Sequence, residues 1–269
     1  MSNQEFVQQQ PGAPIQQQPG ASFQQKQQQF GTPIQSRPVS HNQPGIIWCN
    51  SNFHSYLANA TGFFVKQKLD LIQFIFGYEA TNHYTIKDEE GNKAFYVRET
   101  SDECSRQLCG KFRDFKLTVS DTSGQDVLIM DRELDRLCCC PLLCSDSTIK
   151  VFTPSGLSLG SVVAHFSLFH PVLSIKDAAG NHLLHVKGPC CPVSWCCEPV
   201  VFDVENLDGV PIGTITKEWS GFFRETQTDA FNFSISFQQY LDPTIKAIML
   251  AALFLIDYIY FEGKNNKER

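Results

Sequence analysis

The sequence predicts an all-β domain, a barrel or sandwich, that closes on one apolar helix at its C-terminus. Two observations support this fold: a hairpin-like pattern occurs five times, and one long apolar run follows the last repeat. The spacers between the repeats contain no helical pattern of 10 to 15 residues, which excludes a parallel α/β sheet. At 269 residues and 42% hydrophobic content, the chain can bury one sizeable core.

The five repeats each contain a β-rich run, a polar turn that ends in glycine, and a second β-rich run. They are TIKDEEGNKAFYV, KLTVSDTSGQDVLIM, IKVFTPSGLSLGSVV, LSIKDAAGNHLLHV and FDVENLDGVPIGTI. Glycine supplies the positive φ that short hairpin loops need, and the turn glycines are Gly91, Gly124, Gly156, Gly180 and Gly209. These repeats predict about ten antiparallel strands.

The segment before the first repeat has a different periodicity. In TGFFVKQKLDLIQFIFGYE, the residues Val65, Leu69, Ile72 and Phe76 recur at three-to-four spacing, and Gly77 can end a helix. We therefore predict a short helix here that packs on the core or lies near a membrane.

The apolar run DPTIKAIMLAALFLIDYIYFEGK predicts a helix over 243–262. Asp242 can act as N-cap and Pro243 suits the first helical position. The apolar stretch runs from Ala247 to Phe261 and includes Leu250 and Phe254, and its only charged residue is Asp257. A span of this length covers roughly 22 Å, short of the roughly 30 Å hydrocarbon core. Two interpretations remain: the buried central helix of a closed barrel, or a membrane span in which Asp257 is costly.

The N-terminal residues 1–45 are rich in Gln, Pro and Gly and predict a disordered tail before a folded domain at 46–262 and a short polar tail at 263–269. Pro11–Pro14 fits a minimal ligand for SH3 or WW domains, although a solvated tail explains the same residues. The net charge of −6 argues against nucleic acid as a partner. Since the N-terminus lacks the pattern of a signal peptide, the eleven cysteines indicate cytosolic thiols.

The cysteines form two clusters. In DRLCCCPLLC, Cys138, Cys139, Cys140 and Cys144 suit thioester acylation, because two or more acyl chains give stable membrane anchoring. Buried thiols and zinc are the alternatives, although adjacent cysteines are poorly spaced for one tetrahedral site.

The second cluster, KGPCCPVSWCC, contains Cys190, Cys191, Cys196 and Cys197. This arrangement offers four thiolates, so Zn²⁺ is a more credible ligand here than at the first cluster; packing or further acylation would use the same residues.

Sequence motifs of the common catalytic and nucleotide-binding sites are missing from the chain. His165, His170, His182 and His185 fall in strand-like stretches, where a structural, hydrogen-bonded role is expected. We therefore expect that the protein is not an enzyme.

The chain resembles the phospholipid scramblases, whose fold is related to that of tubby proteins. The resemblance runs from about Gly62 to Glu262 and includes CCCP at 138–141, VKGPCC at 186–191, the segment VPIGTITKEWSGFFRE and the ending AIMLAALFLIDYIYFE. It implies a closed antiparallel barrel of about twelve strands around a central C-terminal helix. It also implies palmitoylation at Cys138, Cys139 and Cys140, with Cys144 separated from this run by two leucines.

The resemblance further implies ATP-independent, Ca²⁺-stimulated movement of phospholipids in both directions between leaflets, at the cytosolic face of the plasma membrane. The family's calcium loop aligns with 229–240, where Asp229 is the one remaining carboxylate at the ligand positions. We expect Ca²⁺ to bind weakly there, or elsewhere with help from Glu225 or Asp242. The alternative is a plain β-strand, because Phe231, Phe233, Ile235 and Phe237 alternate with other residues.

Two functions therefore compete. The first is a phospholipid scramblase, which would act on membrane phospholipids and could need a homo-oligomer to create a polar path. The second is a palmitoylated adaptor that recruits partners without moving lipid. Without acylation, either protein would be found in the cytosol or on other membranes.

Overall fold

The computed structural model describes residues 51–68, 81–103, 113–133, 146–165, 167, 169–190, 198–218 and 232–262. All of them belong to one compact unit, Ile46–Arg269. The predicted tail at 1–45 lies outside the described residues.

Twelve antiparallel strands form a closed barrel in which each strand pairs with its neighbours in sequence and β1 pairs with β12. The strands are β1 Gly62–Lys68, β2 His83–Lys87, β3 Lys93–Thr100, β4 Phe115–Asp121, β5 Asp126–Glu133, β6 Ser147–Phe152, β7 Ser158–His165, β8 Val172–Asp177, β9 His182–Lys187, β10 Val200–Asn206, β11 Pro211–Lys217 and β12 Phe233–Phe237. A closed barrel has no unpaired edge, so the apolar positions of every strand can face one shared core. The predicted closed antiparallel barrel is confirmed.

The five predicted glycine turns join β2 to β3, β4 to β5, β6 to β7, β8 to β9 and β10 to β11. Their glycines have φ between 79° and 88°, which any residue with a Cβ adopts at a cost. Each turn also has the same internal pairing, in which the glycine N–H donates to the carbonyl three residues earlier, as from Gly124 to Asp121 at 3.1 Å. Tight turns therefore occupy one end of the barrel, which we call the hairpin end.

The predicted helix at the start of the domain is wrong where the structure describes it. Residues Gly62–Lys68 form β1, with Phe63 and Val65 directed into the core and Lys66 and Lys68 outward. The apolar residues recur at intervals that suit a helix, but β1 pairs with both β2 and β12 and is needed to close the sheet. Leu69, Ile72, Phe76 and Gly77 lie outside the described residues.

A short helix, α1, covers Ser51–Asn59 and was not predicted. It packs Phe53 and Leu57 into the core at the hairpin end. The ring of Phe53 contacts that of Phe95 edge-on, with centroids 5.2 Å apart.

The C-terminal helix, α2, covers Pro243–Ile256 and continues into a π-helical turn over Asp257–Phe261. As predicted, Asp242 caps it: the side chain accepts a hydrogen bond from the backbone N–H of Thr244 at 2.7 Å. The helix is 19 residues long and apolar enough to cross a bilayer by length and composition. However, every residue from Lys246 to Ile256 is buried inside the barrel, which confirms the interpretation as a central helix.

Two glycines in the wall let the helix approach it closely. A Cβ at Gly160 would lie 2.6 Å from Cδ1 of Ile248, and one at Gly213 would lie 3.3 Å from Cε of Met249. Both glycines are also too close to a neighbouring strand carbonyl for a side chain. The wall is therefore shaped around α2, as close packing of the interior requires.

Candidate functional site at the loop end of the barrel

The end of the barrel opposite the hairpin end carries the longer connections, between β1 and β2, β3 and β4, β5 and β6, β7 and β8, β9 and β10, and β11 and β12. We call it the loop end. The helix α2 enters at the hairpin end and finishes at the loop end, where Glu262 reaches Arg113 at the start of β4.

A buried ion-pair cluster surrounds the end of the helix. The guanidinium of Arg113 donates from Nε to Oε1 of Glu99 at 2.8 Å and from Nη2 to Oε2 at 3.0 Å. It also donates to both carboxylate oxygens of Glu262, at 2.6 and 3.0 Å. The side chains of Arg113 and Glu99 are 3% and 0% exposed, so these are charge-assisted hydrogen bonds shielded from water.

Two neutral side chains complete this cluster. The hydroxyl of Tyr258 donates to Oε2 of Glu99 at 2.9 Å, and the Asn82 amide donates to Tyr258 at 3.2 Å and to Glu262 at 2.9 Å. The Arg113 guanidinium lies over the Tyr258 ring, 5.1 Å from its centroid. The cluster joins β2, β3, the start of β4 and the end of α2.

The pKa values of the two carboxylates in the cluster are shifted in opposite directions. Burial alone would raise the pKa of Glu99, but its hydrogen bonds with Arg113 and Ser101 outweigh burial and hold the pKa below its ordinary value. Burial raises the pKa of Glu262 to about 7, because the hydrogen bonds from Arg113 compensate it only in part and Glu99 is a like charge nearby. Glu262 is therefore the group of this cluster that changes charge near neutral pH.

A second buried acid lies one helical turn earlier. Oδ2 of Asp257 accepts a hydrogen bond from Tyr84 at 3.0 Å, and Oδ1 lies 3.9 Å from Nζ of Lys217. Within the described part of the chain, Oδ1 has no hydrogen-bond partner. Burial raises the pKa of Asp257 despite the nearby ammonium group. The barrel thus holds the single charged residue of the apolar run beside a cation, which lowers the cost of burying it.

A second arginine lies close to the cluster. Arg132 on β5 is 2% exposed, donates from Nε to Oγ of Ser147 at 3.0 Å, and lies over the Phe115 ring. Burial lowers its pKa to about 10, although the charge of Glu262 acts in the other direction. Buried charges of both signs, on Glu99, Arg113 and Arg132, therefore lie close together at the loop end.

The outer surface carries a hydrogen-bonded chain that resembles a catalytic triad in its order. His165 joins Asp146 through Nδ1 at 2.9 Å and Ser174 through Nε2 at 2.8 Å. Ser174 is 2% exposed and lies within β8, between β7 and β9. A buried serine in a paired strand cannot attack a substrate carbonyl, and backbone N–H groups engaged in the sheet cannot form an oxyanion hole. These residues tie three strands together, which agrees with the structural role expected for His165.

Most of the predicted acylation and metal residues lie outside the described part of the chain: Cys138, Cys139, Cys140, Cys144, Cys191, Cys196, Cys197, Glu225 and Asp229. Cys190 is described and is exposed just after β9. Asp242 caps α2 rather than standing open to a ligand. The strand alternative for 231–237 agrees with the structure over Phe233–Phe237, which is β12.

The structure groups no three His, Cys, Asp or Glu residues in a way that could hold a metal ion, among the residues it describes. The predicted calcium and zinc sites therefore remain predictions that depend on residues outside this set.

The helix residues singled out in the sequence all lie in the core. Ala247, Leu250 and Phe254 are fully buried, and Asp257 and Phe261 are 3% and 7% exposed. Sequence analysis missed Glu99, Arg113 and Glu262. Arg113 and Glu262 are 149 positions apart in the sequence. The one signal in the sequence was a charged residue at each edge of the apolar run, at 246 and 262.

Lys246 is the charge at the first of these edges, at the hairpin end. Its ammonium lies within hydrogen-bond distance, 2.8 to 3.3 Å, of the backbone carbonyls of Leu57, Ala58, Ala60 and Gln239, which share its three N–H donors, and the residue is fully buried. A cation suits the C-terminus of a helix, where carbonyls lack partners. Lys246 therefore fixes α1 to α2, while burial lowers its pKa.

Comparison with known proteins agrees with this architecture. The Scramblase family model matches residues 42–263. The chain is 34% identical to mouse phospholipid scramblase 1 over 89% of this chain and 76% of that protein. It is 35% identical to human phospholipid scramblase 2, over 86% and 80%, and 32% identical to human phospholipid scramblase family member 5, over 86% and 90%. No solved structure matches the chain significantly.

The structure is a closed antiparallel barrel around a buried apolar helix, with buried ion pairs at one end. The chain belongs to the phospholipid scramblase family.

Proposed function

We propose that the protein is a phospholipid scramblase that moves phospholipids in both directions between bilayer leaflets, without ATP and with stimulation by Ca²⁺. Membership of the scramblase family over residues 42–263 is the observation that supports this function. Lipid movement down a gradient needs no covalent chemistry, so the proposal assigns the protein no enzymatic activity.

Membrane attachment is proposed through palmitate on Cys138, Cys139, Cys140 and Cys144, at the cytosolic face of the plasma membrane. These residues belong to the connection that leaves β5 at Glu133 and returns at Ser147, and both strand ends lie at the loop end. Because α2 is buried in the barrel, it cannot also serve as an anchor while the barrel is closed. Acyl chains are the alternative way to hold the domain on a bilayer.

A direct assay tests transport. Purified protein is reconstituted in proteoliposomes with a fluorescent phospholipid, and the label in the outer leaflet is bleached with dithionite at several Ca²⁺ concentrations. A scramblase lets the bleached fraction rise beyond the outer-leaflet half, and Ca²⁺ increases the rate. Bleaching that stops at half under every condition would overturn the transport function.

The calcium site is proposed around Asp229 with Glu225, and we expect weak binding. Asp242 would have to release the N–H of Thr244 before it could act as a ligand, so it is the least available of the three. Calorimetric titration of the wild type and Asp229→Ala tests this. A micromolar site that Asp229→Ala removes would contradict weak binding.

Pro11–Pro14 is proposed as a ligand for an SH3 or WW partner.

The second cysteine cluster, at Cys190, Cys191, Cys196 and Cys197, is proposed as a further acylation site or a Zn²⁺ site. Metal analysis of the purified protein separates acylation from zinc binding. One equivalent of zinc supports a metal site, and loss of that zinc when Cys196 is replaced would assign the site to this cluster. Sedimentation gives the oligomeric state, since a polar path for head groups is easier to form between copies than along one apolar helix.

The second candidate function is a palmitoylated adaptor. The buried position of α2 favours it, because the described part of the chain then offers no helix free to cross the bilayer. A variant with Cys138, Cys139 and Cys140 replaced by Ala should leave the membrane in fluorescence microscopy under both functions. Proteoliposome transport separates the two: the adaptor moves no lipid.

A further inference from the structure

On the outer surface of the barrel, every charged side chain at the outward positions of β1 to β4 is cationic. The outward positions of β6 to β9 also carry lysines and no Asp or Glu, but Lys150 and Lys187 there form ion pairs with Glu133 and Glu205. Inward and outward positions alternate along each strand, and the outward positions of β1 to β4 include no Asp or Glu. Their charged residues are Lys66, Lys68, Lys87, Arg98 and Lys116, and Lys116 lies 3.7 Å from Asp131 on β5. We call this surface the cationic face.

Lys68, Arg98 and Lys116 lie towards the loop end of this face, whereas Lys87 lies at the hairpin end. In the strand register, Lys68 lies opposite His83, and His83 lies opposite Arg98. Neighbouring strands are about 4.8 Å apart, so this row spans about 10 Å across three strands. Lys68 and Arg98 are both exposed, and Lys68 lies over the Tyr96 ring, 5.7 Å from its centroid.

The charge of this face is opposite in sign to that of the whole chain, which is −6. On β10, by contrast, the outward positions hold Asp203 and Glu205. Exposed carboxylates at Asp102, Glu103 and Asp114 border the cationic face where β3 continues towards β4. The centre of positive charge therefore lies on β1 to β3, around Lys68 and Arg98.

We propose that the cationic face docks the barrel on an anionic bilayer surface, with Lys68, His83 and Arg98 among the lipid head groups. Each Lys or Arg near an anionic bilayer strengthens binding about five-fold, through a field that extends about one Debye length. Nucleic acid would need more phosphate contacts than one short row provides. The row also lies at the barrel end from which the cysteine-bearing connection leaves β5, so both attachments would meet the same surface.

This inference rests on the proposed membrane association but not on lipid transport. It adds an orientation: the outward side of β1 to β3 faces the bilayer, rather than the loop end, which carries the exposed carboxylates of Asp102, Glu103 and Asp114.

Vesicle sedimentation of the full-length, unacylated protein tests the docking. The partners are vesicles of phosphatidylcholine alone and with phosphatidylserine, at 0.1 M salt. The test variant is Lys68→Gln with Arg98→Gln, and the matched control is Lys150→Gln with Lys176→Gln, which makes the same change in net charge on β6 and β8. Thermal unfolding establishes that both variants remain folded.

Docking by the cationic face predicts that wild type binds phosphatidylserine vesicles, that the test variant binds them about 25-fold more weakly, and that the control changes binding less than three-fold. Binding should weaken in 0.5 M salt, and millimolar inorganic phosphate should not compete. Equal losses in test and control variants, equal binding to neutral vesicles, competition by phosphate, or tighter binding to DNA than to vesicles would each overturn the proposal. Since lipid transport is measured separately, loss of transport with normal vesicle binding would overturn only the scramblase function.

Discussion

Replacement of Arg113 by methionine tests whether the ion-pair cluster stabilises the loop end. Arg113 is 3% exposed and is the common partner of Glu99 and Glu262, which are 0% and 17% exposed. Methionine keeps much of the side-chain volume but leaves two carboxylates without their cation. Removal of one partner from a buried ion pair costs about 3–5 kcal/mol, and we expect Arg113→Met to lower the free energy of unfolding by that amount.

An exposed ion pair provides the matched control. Lys116 lies 3.7 Å from Asp131, and the two side chains are 50% and 31% exposed. Exposed pairs contribute about 0–1 kcal/mol, so Lys116→Met should change stability by less than about 1 kcal/mol. Arg113→Lys is the second variant, because it keeps the charge but loses the paired geometry with both carboxylates. Its loss of unfolding free energy should lie between those of Arg113→Met and Lys116→Met.

Urea unfolding monitored by circular dichroism measures all three variants at pH 8 and pH 5. The loss caused by Arg113→Met should be smaller at pH 5, because Glu262 is then protonated and no longer requires a cation. A loss below 1 kcal/mol at pH 8, or a loss that does not depend on pH, would show that the buried charges do not stabilise the barrel.

Three further predictions concern stability. Glu262 has a pKa raised from 4.5 to about 7, so its contribution is fully present below pH 4.5 and is lost as the pH rises through 7. The stability of wild type relative to Glu262→Gln should therefore fall by up to about 3 kcal/mol between pH 4.5 and 7.5 in urea unfolding, and a constant difference would contradict the assignment. Lys246→Met should cost about 1–3 kcal/mol, because it leaves buried carbonyls without a donor; unchanged hydrogen exchange across 51–59 would argue against its role in holding α1. Gly160→Ala should destabilise the barrel more than Gly156→Ala: both glycines have positive φ, but a Cβ at Gly160 would also clash with the Lys176 carbonyl oxygen and lie 2.6 Å from Cδ1 of Ile248, while one at Gly156 meets nothing within 4 Å; equal thermal midpoints would refute this difference.

The sequence predicted the features that depend on local chemistry. Glycine turns require positive φ, and the five positions that predicted hairpins adopt it. The capped start of α2 was equally clear, since Asp242 and Pro243 serve the helix start in any context. The apolar character of α2 on all sides left two interpretations open, and its burial inside the barrel favours the central helix over the membrane span.

The first strand could not be assigned from its own pattern. The spacing of Val65, Leu69 and Ile72 suits a helix, yet β1 has to pair with β12 to close the sheet. That partner lies about 170 residues away, and pairing at such separation overrides local propensity. The helix α1 was missed for a related reason, because its short apolar stripe becomes informative only when Phe53 and Leu57 have a core to enter.

The candidate site was the least predictable part. Charged residues are common in strands and loops, and nothing local marks Glu99 and Arg113 as partners of Glu262. The cluster exists only because the barrel brings the starts of β2 and β4 and the end of β3 around the end of α2. The cationic face, by contrast, follows from sequence once the strands are known, because alternation alone places Lys66, Lys68 and Arg98 outward.

The position of α2 also limits how the protein can act on a bilayer. Seven large apolar side chains between 248 and 256 are fully buried against the wall, and at about 1.5 kcal/mol or more each they contribute on the order of 10 kcal/mol. A bilayer could replace the wall around an extracted helix, but nothing would replace the helix inside the wall, whose apolar face would meet water. That loss is comparable to the roughly 5–15 kcal/mol that stabilises a whole domain, and Lys246 and Asp257 would lose their partners as well. Lipid movement by the closed barrel would therefore depend on the outer surface that it presents to the bilayer, rather than on a helix that leaves it.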